Sequence, residues 1–372
     1  MEQKEVEKLL KVFVNESTEI VRQVTGGMMN VSYLARDKDG KEYIIYIPGL
    51  HANEMVDREL EKIHQRVVYA LGITSKNIYF DIATGIKINE YIPGKSLDHE
   101  AIFNLEKIAN LLKKLHGATV LSTEDYQPFE RFENTYEKEA LGFVKNHGPL
   151  YDQIRAFLFE HKNYLESQEK TLCHNDAQRS NIIKTPDDNY FLIDFEFMGN
   201  NDPIYDIATF GNGTVSEGRK LLDSYFKDEL NEDHIKRYYL WRIFISLQWY
   251  NVAIAKHYRG EGEVQHYDFL SVANHFLMNA KSAFDGYKLE IREKGENDDI
   301  ERLIISTLDK IRHFLRKDGG DCEFVSFNEG IVYVKMQGAC NGCAYANSDI
   351  KELVEVILQE EVPGVLEVRL AD

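Results

Sequence analysis

Before residue 286, the sequence changes from mainly β-rich segments to mainly helical spacing at Pro93-Gly94, and this change predicts two unlike lobes. On the N-terminal side, residues 19–47 and the later runs NIYFDIAT and GIKINEYI are short β-rich segments, with Asp39-Gly40 as a hairpin turn. On the C-terminal side, apolar residues recur every three or four positions, as they do in helices. The pattern predicts an α+β fold in which a small sheet-rich lobe precedes a larger helical lobe.

The first helix after this change is predicted in IFNLEKIANLLKKLHG. Its apolar residues are spaced by three or four positions and share one face, which is typical of a helix packed on a core. These residues are Ile102, Leu105, Ile108, Leu112 and Leu115.

A second break in the pattern lies at residues 286–298, within GYKLEIREKGENDD, where the period is lost and charge accumulates as in a linker. Beyond it, residues 299–372 are predicted as a helix, a hairpin, a cysteine-bearing loop, a second helix and a final strand. The sequence therefore predicts a first domain at 1–285, with lobes at about 1–91 and 92–285, and a small α+β domain at 299–372.

The net charge limits the partners of the chain. A formal charge of -18 at pH 7 repels nucleic acid backbones and anionic membrane surfaces, and it favours a cationic small substrate. No apolar run is long enough to span a membrane, and MEQKEVEKLLKVFVNES lacks the apolar core and cleavage site of a signal peptide. We therefore expect a cytoplasmic protein without nucleic acid partners or membrane insertion.

Two polar segments, CHNDAQRSN and FLIDFEF, indicate a chemistry most directly. Transfer of a γ-phosphoryl group requires a carboxylate that orients and deprotonates the attacking hydroxyl group, and oxygen ligands for the metal ions that bridge the phosphates. Asp176 is placed to be the base. Asn181, five residues later, and Asp194, at the end of an apolar strand, are placed to bind Mg²⁺. The pattern predicts phosphoryl transfer from ATP.

The segments HNDAQRSNII and LIDFEFMGNNDPIYDIA resemble the signature segments of choline/ethanolamine kinases and of the related aminoglycoside phosphotransferases. Upstream, TGGMMNVSYLARDKDGKEYIIYIPG, VDRELEK and KINEYIPGKSL are similar to the phosphate loop, the glutamate-bearing helix and the adenine-binding hinge of that family. The resemblance covers about residues 15–280 and implies a two-lobed protein-kinase-like fold that binds ATP and Mg²⁺. The nucleotide-binding residues that it implies are Gly26, Gly27, Glu61, Asn89, Tyr91 and Ile92.

Two further residues of the signature segments are expected to hold the loop and not to act on the substrate. His174 stands two residues before the base, and Asp206 stands in YDIA; we expect Asp206 to tie the loop by hydrogen bonds.

One position departs from the pattern of the family. The strand before IPG carries, in the family, a basic residue that neutralises the nucleotide phosphates, but this chain has Tyr46 there. A phenol cannot supply that charge. Either another cation reaches the site, with Lys41, Arg36 and Arg58 as candidates, or the unit is a kinase-like binding module that transfers no phosphate.

The acceptor site is predicted on a late helix of the larger lobe, in YYLWRIFISLQWYN, which contains Trp241, Trp249 and Tyr250. Aromatic faces hold quaternary ammonium groups by cation-π attraction, and late-helix aromatics line the choline site in the family, although core packing explains each single ring equally well. Glu196 is expected either to support the metal ligands or to pair with a cation of the substrate. The resemblance implies choline or ethanolamine as the acceptor; an aminoglycoside, thiamine or a sugar is the alternative.

The C-terminal part contains a C-x-x-C pair, Cys340 and Cys343, in GACNGC. Four cysteines in 372 residues form no disulfide framework, so the pair is expected to bind metal or to do redox chemistry in a reducing compartment. With the preceding DGGD and the following EEVPGV, the motif resembles the NifU C-terminal (Nfu-type) iron-sulfur scaffold domain over about residues 300–372. Cys322 is expected to pack within its strand.

Two thiolates are half of the ligands of a cysteine-bound [4Fe-4S] cluster. The cluster is therefore expected between two chains of a homodimer, each contributing Cys340 and Cys343, with Zn²⁺ on the same four thiolates as the alternative. The resemblance also implies iron-sulfur acceptor proteins as partners. Together the two resemblances predict a small-molecule kinase fused to an iron-sulfur carrier domain, or else a non-catalytic kinase-like module that serves such a scaffold.

Overall fold

The chain divides into two compact units, Met1–Gly286 and Tyr287–Asp372. The structure, a computed structural model, describes residues 3–24, 30–49, 56–262, 268–316, 320–328, 330–338 and 344–371. Among these residues, no helix is both long enough and apolar enough to cross a membrane.

The first unit begins with a five-stranded antiparallel sheet in the order β1-β2-β3-β5-β4. The elements of this lobe are α1 (Gln3–Phe13), β1 (Glu19–Val24), β2 (Asn30–Arg36), β3 (Glu42–Pro48), α2 (Arg58–Ala70), β4 (Asn77–Phe80) and β5 (Lys87–Glu90). The hairpin predicted from Asp39-Gly40 is confirmed, since β2 pairs with β3 and Gly40 adopts a φ of 81° in the turn.

The two faces of this sheet have different surroundings. Ile45 on β3 and Ile88 on β5 are buried with Leu10 of α1 in the core of the lobe. Successive residues of a strand point to opposite faces, so their neighbours Tyr46 and Lys87 point away from that core. Tyr46 and Lys87 are direct partners in the β3–β5 register.

The larger lobe is mostly helical, as predicted. Its helices are α3 (Leu105–His116), α4 (Pro128–Arg131), α5 (Lys138–Phe143), α6 (Pro149–Glu160), α7 (Lys162–Glu166), α8 (Pro203–Phe210), α9 (Val215–Phe226), α10 (Glu232–Tyr258) and α11 (Phe269–Tyr287). Its strands are β6 (Lys95–Ser96), β7 (Thr171–Cys173), β8 (Ile182–Lys184), β9 (Tyr190–Leu192) and β10 (Gly199–Asn201). Strands β6, β8 and β9 form one small antiparallel sheet, and β7 pairs with β10.

Helix α3 begins later than the apolar spacing predicts. The side-chain oxygen of Asn104 caps the helix by accepting hydrogen bonds from the backbone N–H groups of Glu106 and Lys107, at 2.9 and 3.2 Å. Ile102 therefore lies before the helix and is 79% exposed, whereas the later residues of the predicted face are buried or half-buried. An apolar residue can continue the helical spacing by chance, but the cap determines where the helix starts.

The second unit is a three-stranded sheet with two helices. Its elements are α12 (Glu293–Leu315), β11 (Gly320–Asn328), β12 (Ile331–Gly338), α13 (Ala344–Glu361) and β13 (Glu367–Leu370). Strand β12 pairs antiparallel with β11, which confirms the predicted hairpin, and parallel with β13. Cys322 is fully buried in the core of this unit, as expected for a packing residue.

The charged segment at 286–298, which the sequence pattern predicts as a linker, is helical. Residues 288–292 form a π-helical turn, and α12 starts at Glu293. Glu, Lys and Arg are good helix formers. A segment rich in these residues can therefore be helical although it lacks the apolar period of an amphipathic helix.

Candidate active site

One buried carboxylate holds the loop between β7 and β8. Asp206 on α8 accepts hydrogen bonds from the backbone N–H groups of His174, at 2.8 Å, and Asn175, at 2.7 Å. The ring of His116 lies 3.0 Å from the same carboxylate, and His174 Nε2 lies 2.9 Å from the backbone oxygen of Ile193. The predicted roles of Asp206 and His174 in holding the loop are confirmed.

Asp176 and Asn181 are joined directly within this loop. Asn181 Nδ2 donates to Asp176 Oδ2 at 2.8 Å and to the backbone oxygen of Asp176 at 2.9 Å. Gln178 Nε2 donates to the same carboxylate at 3.2 Å. Because the amide nitrogen of Asn181 is used in these bonds, its amide oxygen is the atom that can bind a cation.

Asp194 follows β9 in a left-handed turn. Strand β9 ends at Leu192, and Asp194 has a φ of 65°, a conformation that Asp adopts more readily than most residues. The side chain is 25% exposed, and its Oδ1 lies 3.1 Å from Lys87 Nζ. The turn therefore brings the carboxylate of the larger lobe to a cation of the sheet.

A buried network of charges surrounds this contact. Lys87 Nζ lies 2.7 Å from Glu61 Oε1 and 3.1 Å from Asp194 Oδ1, and the lysine side chain is only 3% exposed. Arg58 Nη1 lies 2.6 Å from Glu61 Oε2 and 3.6 Å from Glu196 Oε2. Glu61, on α2, thus contacts both cations.

Sequence reasoning missed Lys87. Of the cations considered as replacements at the position of Tyr46, Lys41 and Arg36 pair with carboxylates of their own sheet at 2.5 and 2.6 Å and are half exposed, so they lie outside this network. Arg58 reaches the network. The signal that could have found Lys87 is its place in GIKINEYI, as a lysine between buried isoleucines of a strand.

Burial and mutual repulsion perturb the titration of these groups. Burial raises the pKa of Asp176 well above its usual range, and the charges of Asp194 and Glu196 raise it further. Burial likewise raises the pKa of Glu196 to about 8, with Asp194 adding to the shift. Burial acts to lower the pKa of Lys87, but Asp194, Glu61 and Glu196 outweigh it, so this pKa is raised and the lysine stays charged.

The oxygen atoms at this site fit a divalent cation. Asn181 offers an amide oxygen and Asp194 a carboxylate, while Glu196 Oε2 is buried without a hydrogen-bond partner among the residues that the structure describes. Mg²⁺ prefers such oxygen ligands, and an added positive charge would relieve the repulsion between the carboxylates. The donor set therefore fits the Mg²⁺ ions that the sequence implies.

The residues predicted to bind nucleotide are only partly described. Gly26 and Gly27 lie outside the described residues. Asn89 is buried on β5, where its side-chain oxygen accepts a hydrogen bond at 2.8 Å from an asparagine of β4. The backbone N–H of Tyr91 donates to β3 at 3.0 Å, so it is used within the sheet, and Ile92 follows half-buried.

Trp249 lines an apolar cavity of the larger lobe. Gln178, which is bonded to Asp176, forms part of the wall of this cavity, and the ring of Trp249 lies 6.2 Å from that of Phe276 on α11. Ala253 also contributes to the wall. The cavity thus combines aromatic faces with Gln178, which contacts Asp176, and with Lys256, which pairs with Glu261 at 3.4 Å.

Trp241 and Tyr250 face other parts of the larger lobe. Trp241 is 1% exposed, and its Nε1 donates to Asp202 Oδ2 at 2.9 Å. Tyr250 is buried, with its ring 5.1 Å from that of Tyr151. The spacing of eight positions from Trp241 to Trp249 corresponds to two turns plus about 80° of an α-helix, so the two indoles have different neighbours.

Three buried tyrosines near Asp176 were also missed. Burial raises the pKa of Tyr126, Tyr136 and Tyr205, and the charge of Asp176 adds to each shift. Arg131 lies over the ring of Tyr126, 4.9 Å from its centre. Tyr205 lies within the signature segment LIDFEFMGNNDPIYDIA, whereas Tyr126 and Tyr136 lie in no motif; the fold assembles the three from the segment before α4, the π-helical segment Phe132–Glu137 and α8.

The predicted cysteine pair, Cys340 and Cys343, lies outside the described residues. Strand β12 ends at Gly338 and α13 starts at Ala344, so the pair falls in the connection between them.

Two family models match the chain. The model described as choline/ethanolamine kinase matches residues 21–268, and the model described as NifU-like domain matches residues 304–369. The second match lies within the second compact unit.

Individual proteins are similar to parts of this chain. Protein LicA of Haemophilus influenzae is 25% identical over 194 residues, which are 50% of this chain and 55% of LicA. The mitochondrial NFU1 iron-sulfur cluster scaffold homolog of Drosophila erecta is 28% identical over 195 residues, 51% of this chain and 64% of that protein. The chain thus spans 55% and 64% of the lengths of these two relatives.

A solved structure reproduces the fold of the first unit. The crystal structure of choline kinase LicA from Streptococcus pneumoniae has a TM-score of 0.60 and 25% sequence identity, and the match covers 76% of this chain and 98% of that one. The predicted two-lobed kinase-like fold, followed by a small domain with α and β elements, is confirmed.

Proposed function

Because the chain belongs to the choline/ethanolamine kinase family, we propose that residues 1–285 transfer the γ-phosphoryl group of ATP to the hydroxyl group of a small cationic alcohol of the choline or ethanolamine class. The observation that carries the proposal is the arrangement of Asp176, fixed by Asn181, with the ion pair of Asp194 and Lys87. This is the set of groups that phosphoryl transfer requires.

Asp176 acts as the base that orients the acceptor hydroxyl group and takes its proton. Its pKa is raised by burial first and by neighbouring carboxylates second, and a raised pKa makes a carboxylate a stronger proton acceptor. The two hydrogen bonds from Asn181 hold the carboxylate, and Asp206 fixes the loop that carries it. The chain therefore orients its base through a hydrogen-bond network that is complete without substrate.

Asn181 and Asp194 would hold Mg²⁺, which would supply positive charge to neutralise the charge that develops on the phosphates during transfer. Glu196 is either a further oxygen donor at this site or the partner of the substrate's cation. Glu61 keeps two buried cations in place from α2, and we assign the phosphate loop to Gly26 and Gly27.

The acceptor binds in the apolar cavity at Trp249. A quaternary or primary ammonium group gains from an aromatic face, by about 0.5 to 2 kcal/mol depending on desolvation, and Gln178 connects this cavity to the base. Trp241 and Tyr250 support α10 from its buried sides. A neutral sugar lacks the positive charge that cation-π attraction requires, so this aromatic surface favours a cationic acceptor over a neutral sugar.

The adenine is assigned to the strand that follows Lys87, with Asn89, Tyr91 and Ile92 nearest to it. Hydrogen bonds hold Asn89 and Tyr91 within the sheet, so they form a fixed edge against which the adenine ring lies.

For residues 299–372 we infer an iron-sulfur carrier. Cys340 and Cys343 each supply a thiolate, and two chains supply the four ligands of a [4Fe-4S] cargo; Zn²⁺ on the same thiolates is the competing occupant. The match to the NifU-like domain supports this assignment. Such a carrier forms a homodimer, delivers its cluster to acceptor proteins and works in a reducing compartment, which we take to be the cytoplasm.

The kinase proposal is tested by ADP release from anaerobically purified protein with ATP and Mg²⁺. Choline, ethanolamine and a panel of other small alcohols are added one at a time. We expect acceptor-dependent turnover with the cationic alcohols and its loss in Asp176→Asn. Asp187→Asn, in the exposed turn between β8 and β9, is the matched control and should keep full activity.

Turnover that persists unchanged in Asp176→Asn would contradict the role of Asp176. No turnover with any acceptor would favour the non-catalytic binding module. Buried Lys87 argues against the hypothesis of a non-catalytic binding module, because it provides the site with a positive charge that Tyr46 cannot supply.

A further inference from the structure

Tyr46 and Lys87 stand directly opposite each other on adjacent strands. They are Cα partners in the antiparallel register of β3 and β5, and the Cβ atoms of such partners are about 4.5 to 5.5 Å apart on the same face of the sheet. Ile45 and Ile88 point to the opposite face, into the core with α1. The side chains of Tyr46 and Lys87 therefore share the face on which α2 and Asp194 lie.

The ammonium group of Lys87 connects the two lobes of the first unit. Its Nζ lies between a carboxylate of the small lobe, Glu61 at 2.7 Å, and one of the larger lobe, Asp194 at 3.1 Å. An ammonium group has three donors, and these two contacts use two of them. The third donor is left for a phosphate oxygen beside the proposed Mg²⁺ ligand.

Burying the charge of Lys87 costs free energy, and this cost indicates that the charge has a function. The side chain is 3% exposed, and a buried charge is tolerated only when it is paired. Tyr46 completes the pocket, since its ring centre lies 5.2 Å from Nζ, where the ring face attracts the cation.

The other cations of the lobe do not occupy this position. Lys41 and Arg36 are half exposed and pair with other carboxylates, Glu90 and Glu42. Arg58 contacts Glu61 and Glu196, and among the described residues no ion pair joins it to Asp194.

We propose that Lys87 is the cation that binds the phosphates of the nucleoside triphosphate, transposed from β3 to the directly opposite position on β5, and that Tyr46 fills the position it replaces. This inference rests on the proposed kinase function. It assigns the positive charge that binds the phosphates to a residue outside the strand that carries this charge in the family.

The test uses the full chain and separates nucleotide binding from turnover. Affinities for ATP and for adenosine are measured by calorimetry, with and without Mg²⁺, in wild type, in Lys87→Met and in the transposed double variant Tyr46→Lys/Lys87→Tyr. Lys41→Met is the matched control, because it removes a lysine of the same sheet that lies outside the site. Thermal unfolding of each variant shows whether it is folded.

In Lys87→Met we expect ATP affinity to fall about tenfold or more while adenosine affinity is unchanged, and kcat to fall roughly 100-fold with any acceptor that wild type uses. The transposed variant should recover most of the ATP affinity, because its lysine projects from the partner position. Recovery also excludes a folding defect as the cause of the loss.

Equal ATP affinity in wild type and folded Lys87→Met would overturn this inference and leave the kinase proposal intact. The same holds if adenosine and ATP affinities fall together, or if the transposed variant folds but recovers nothing. Wild-type protein that binds no ATP would overturn both proposals. Wild-type protein that binds ATP through Lys87 but turns over no acceptor would support this inference and contradict only the kinase proposal.

Discussion

The side-chain amide of Asn181 donates to the carboxylate of Asp176 at 2.8 Å and to the backbone oxygen of Asp176 at 2.9 Å. Hydrogen bonds therefore couple the position of the proposed base to that of the proposed metal ligand within a single loop. A change at Asn181 would remove the proposed metal ligand and also the two hydrogen bonds that orient Asp176.

Asn181→Ala should lower kcat by roughly 100-fold or more, as expected when a group that stabilises the transition state is lost. Steady-state ADP release at saturating acceptor measures it. Asn189→Ala, in the exposed turn between β8 and β9, is the control and should match wild type. Wild-type kcat in Asn181→Ala would show that the residue has no part in transfer.

Trp249→Ala should raise the KM for a cationic acceptor by about 2- to 30-fold, the equivalent of 0.5 to 2 kcal/mol of cation-π attraction. Trp249→Phe should recover much of the loss, since a phenyl face still attracts a cation. Tyr250→Phe, which alters a ring packed on Tyr151, should leave KM unchanged. If Trp249→Ala has the wild-type KM, the cavity at this residue is not the acceptor site.

The burial of His64 leads us to expect that the folded protein loses stability in acid. Burial lowers its pKa to about 4 although Glu61 acts to raise it, and its Nε2 lies 3.0 Å from Ser122 Oγ. The unfolded chain, with an ordinary pKa near 6.5, binds the proton first. The folded state therefore loses stability as pH falls from about 6.5 toward 4, by at most about 1.4 kcal/mol per pH unit.

Denaturant unfolding of wild type and His64→Gln at several pH values measures this effect. The free energy of unfolding should fall less steeply in acid for His64→Gln. His99→Gln, whose side chain is 70% exposed in the native protein, should follow wild type. Parallel curves for all three proteins would contradict the assignment to His64.

Asp321 stabilises the second unit at neutral pH. Arg312 holds its carboxylate with two hydrogen bonds of 2.7 and 3.0 Å and Arg316 adds another at 3.0 Å, which keep the pKa of Asp321 well below its usual range despite an opposing effect of burial. A carboxylate with a depressed pKa contributes stability above the unfolded pKa near 3.8 and loses it as pH falls below that value.

Asp321→Asn should therefore have a lower free energy of unfolding than wild type at pH 7. The difference should be less than about 1 kcal/mol because the ion pairs are solvent-accessible. The difference should shrink as pH falls below 4. Glu352→Gln, an exposed change on α13, serves as the control. A difference that is independent of pH would mean that the ion pairs are not its source.

Cys343→Ser should abolish the absorbance of a reconstituted cluster and the dimer that it bridges, since each chain supplies half of the thiolates. Iron content and size-exclusion chromatography under anaerobic conditions measure both. Cys322→Ala is the matched control, because this cysteine is buried in the core of the second unit. A cluster of the same stoichiometry in Cys343→Ser would exclude the proposed ligand set.

Much of the fold follows from local patterns in the sequence. The β2–β3 hairpin, the change from sheet to helices at Pro93-Gly94 and the C-terminal hairpin were predicted from turn residues and spacing, which act over a few residues. The start of α3 was misplaced at Ile102, because apolar spacing has no information on which side chain caps a helix.

The candidate site divides in the same way. The spacing within one loop brings Asp176 and Asn181 together, and the end of β9 supplies Asp194, so these residues could be chosen from the sequence. The tryptophans of α10 could not be told apart, because this helix is buried along most of its length and offers no polar face to orient it. Packing places Trp241 in the core and Trp249 at the cavity.

The order of the elements, the loop with the proposed base and the proposed metal ligand, and the resemblance to two families all follow from the sequence, since each depends on residues close together along the chain. The tertiary structure alone decided which cation enters the cleft. Lys87 meets Glu61 and Asp194 because β5 pairs with β3 in a register that sets it opposite Tyr46. Cross-strand register depends on contacts between residues some forty positions apart, which no local pattern encodes.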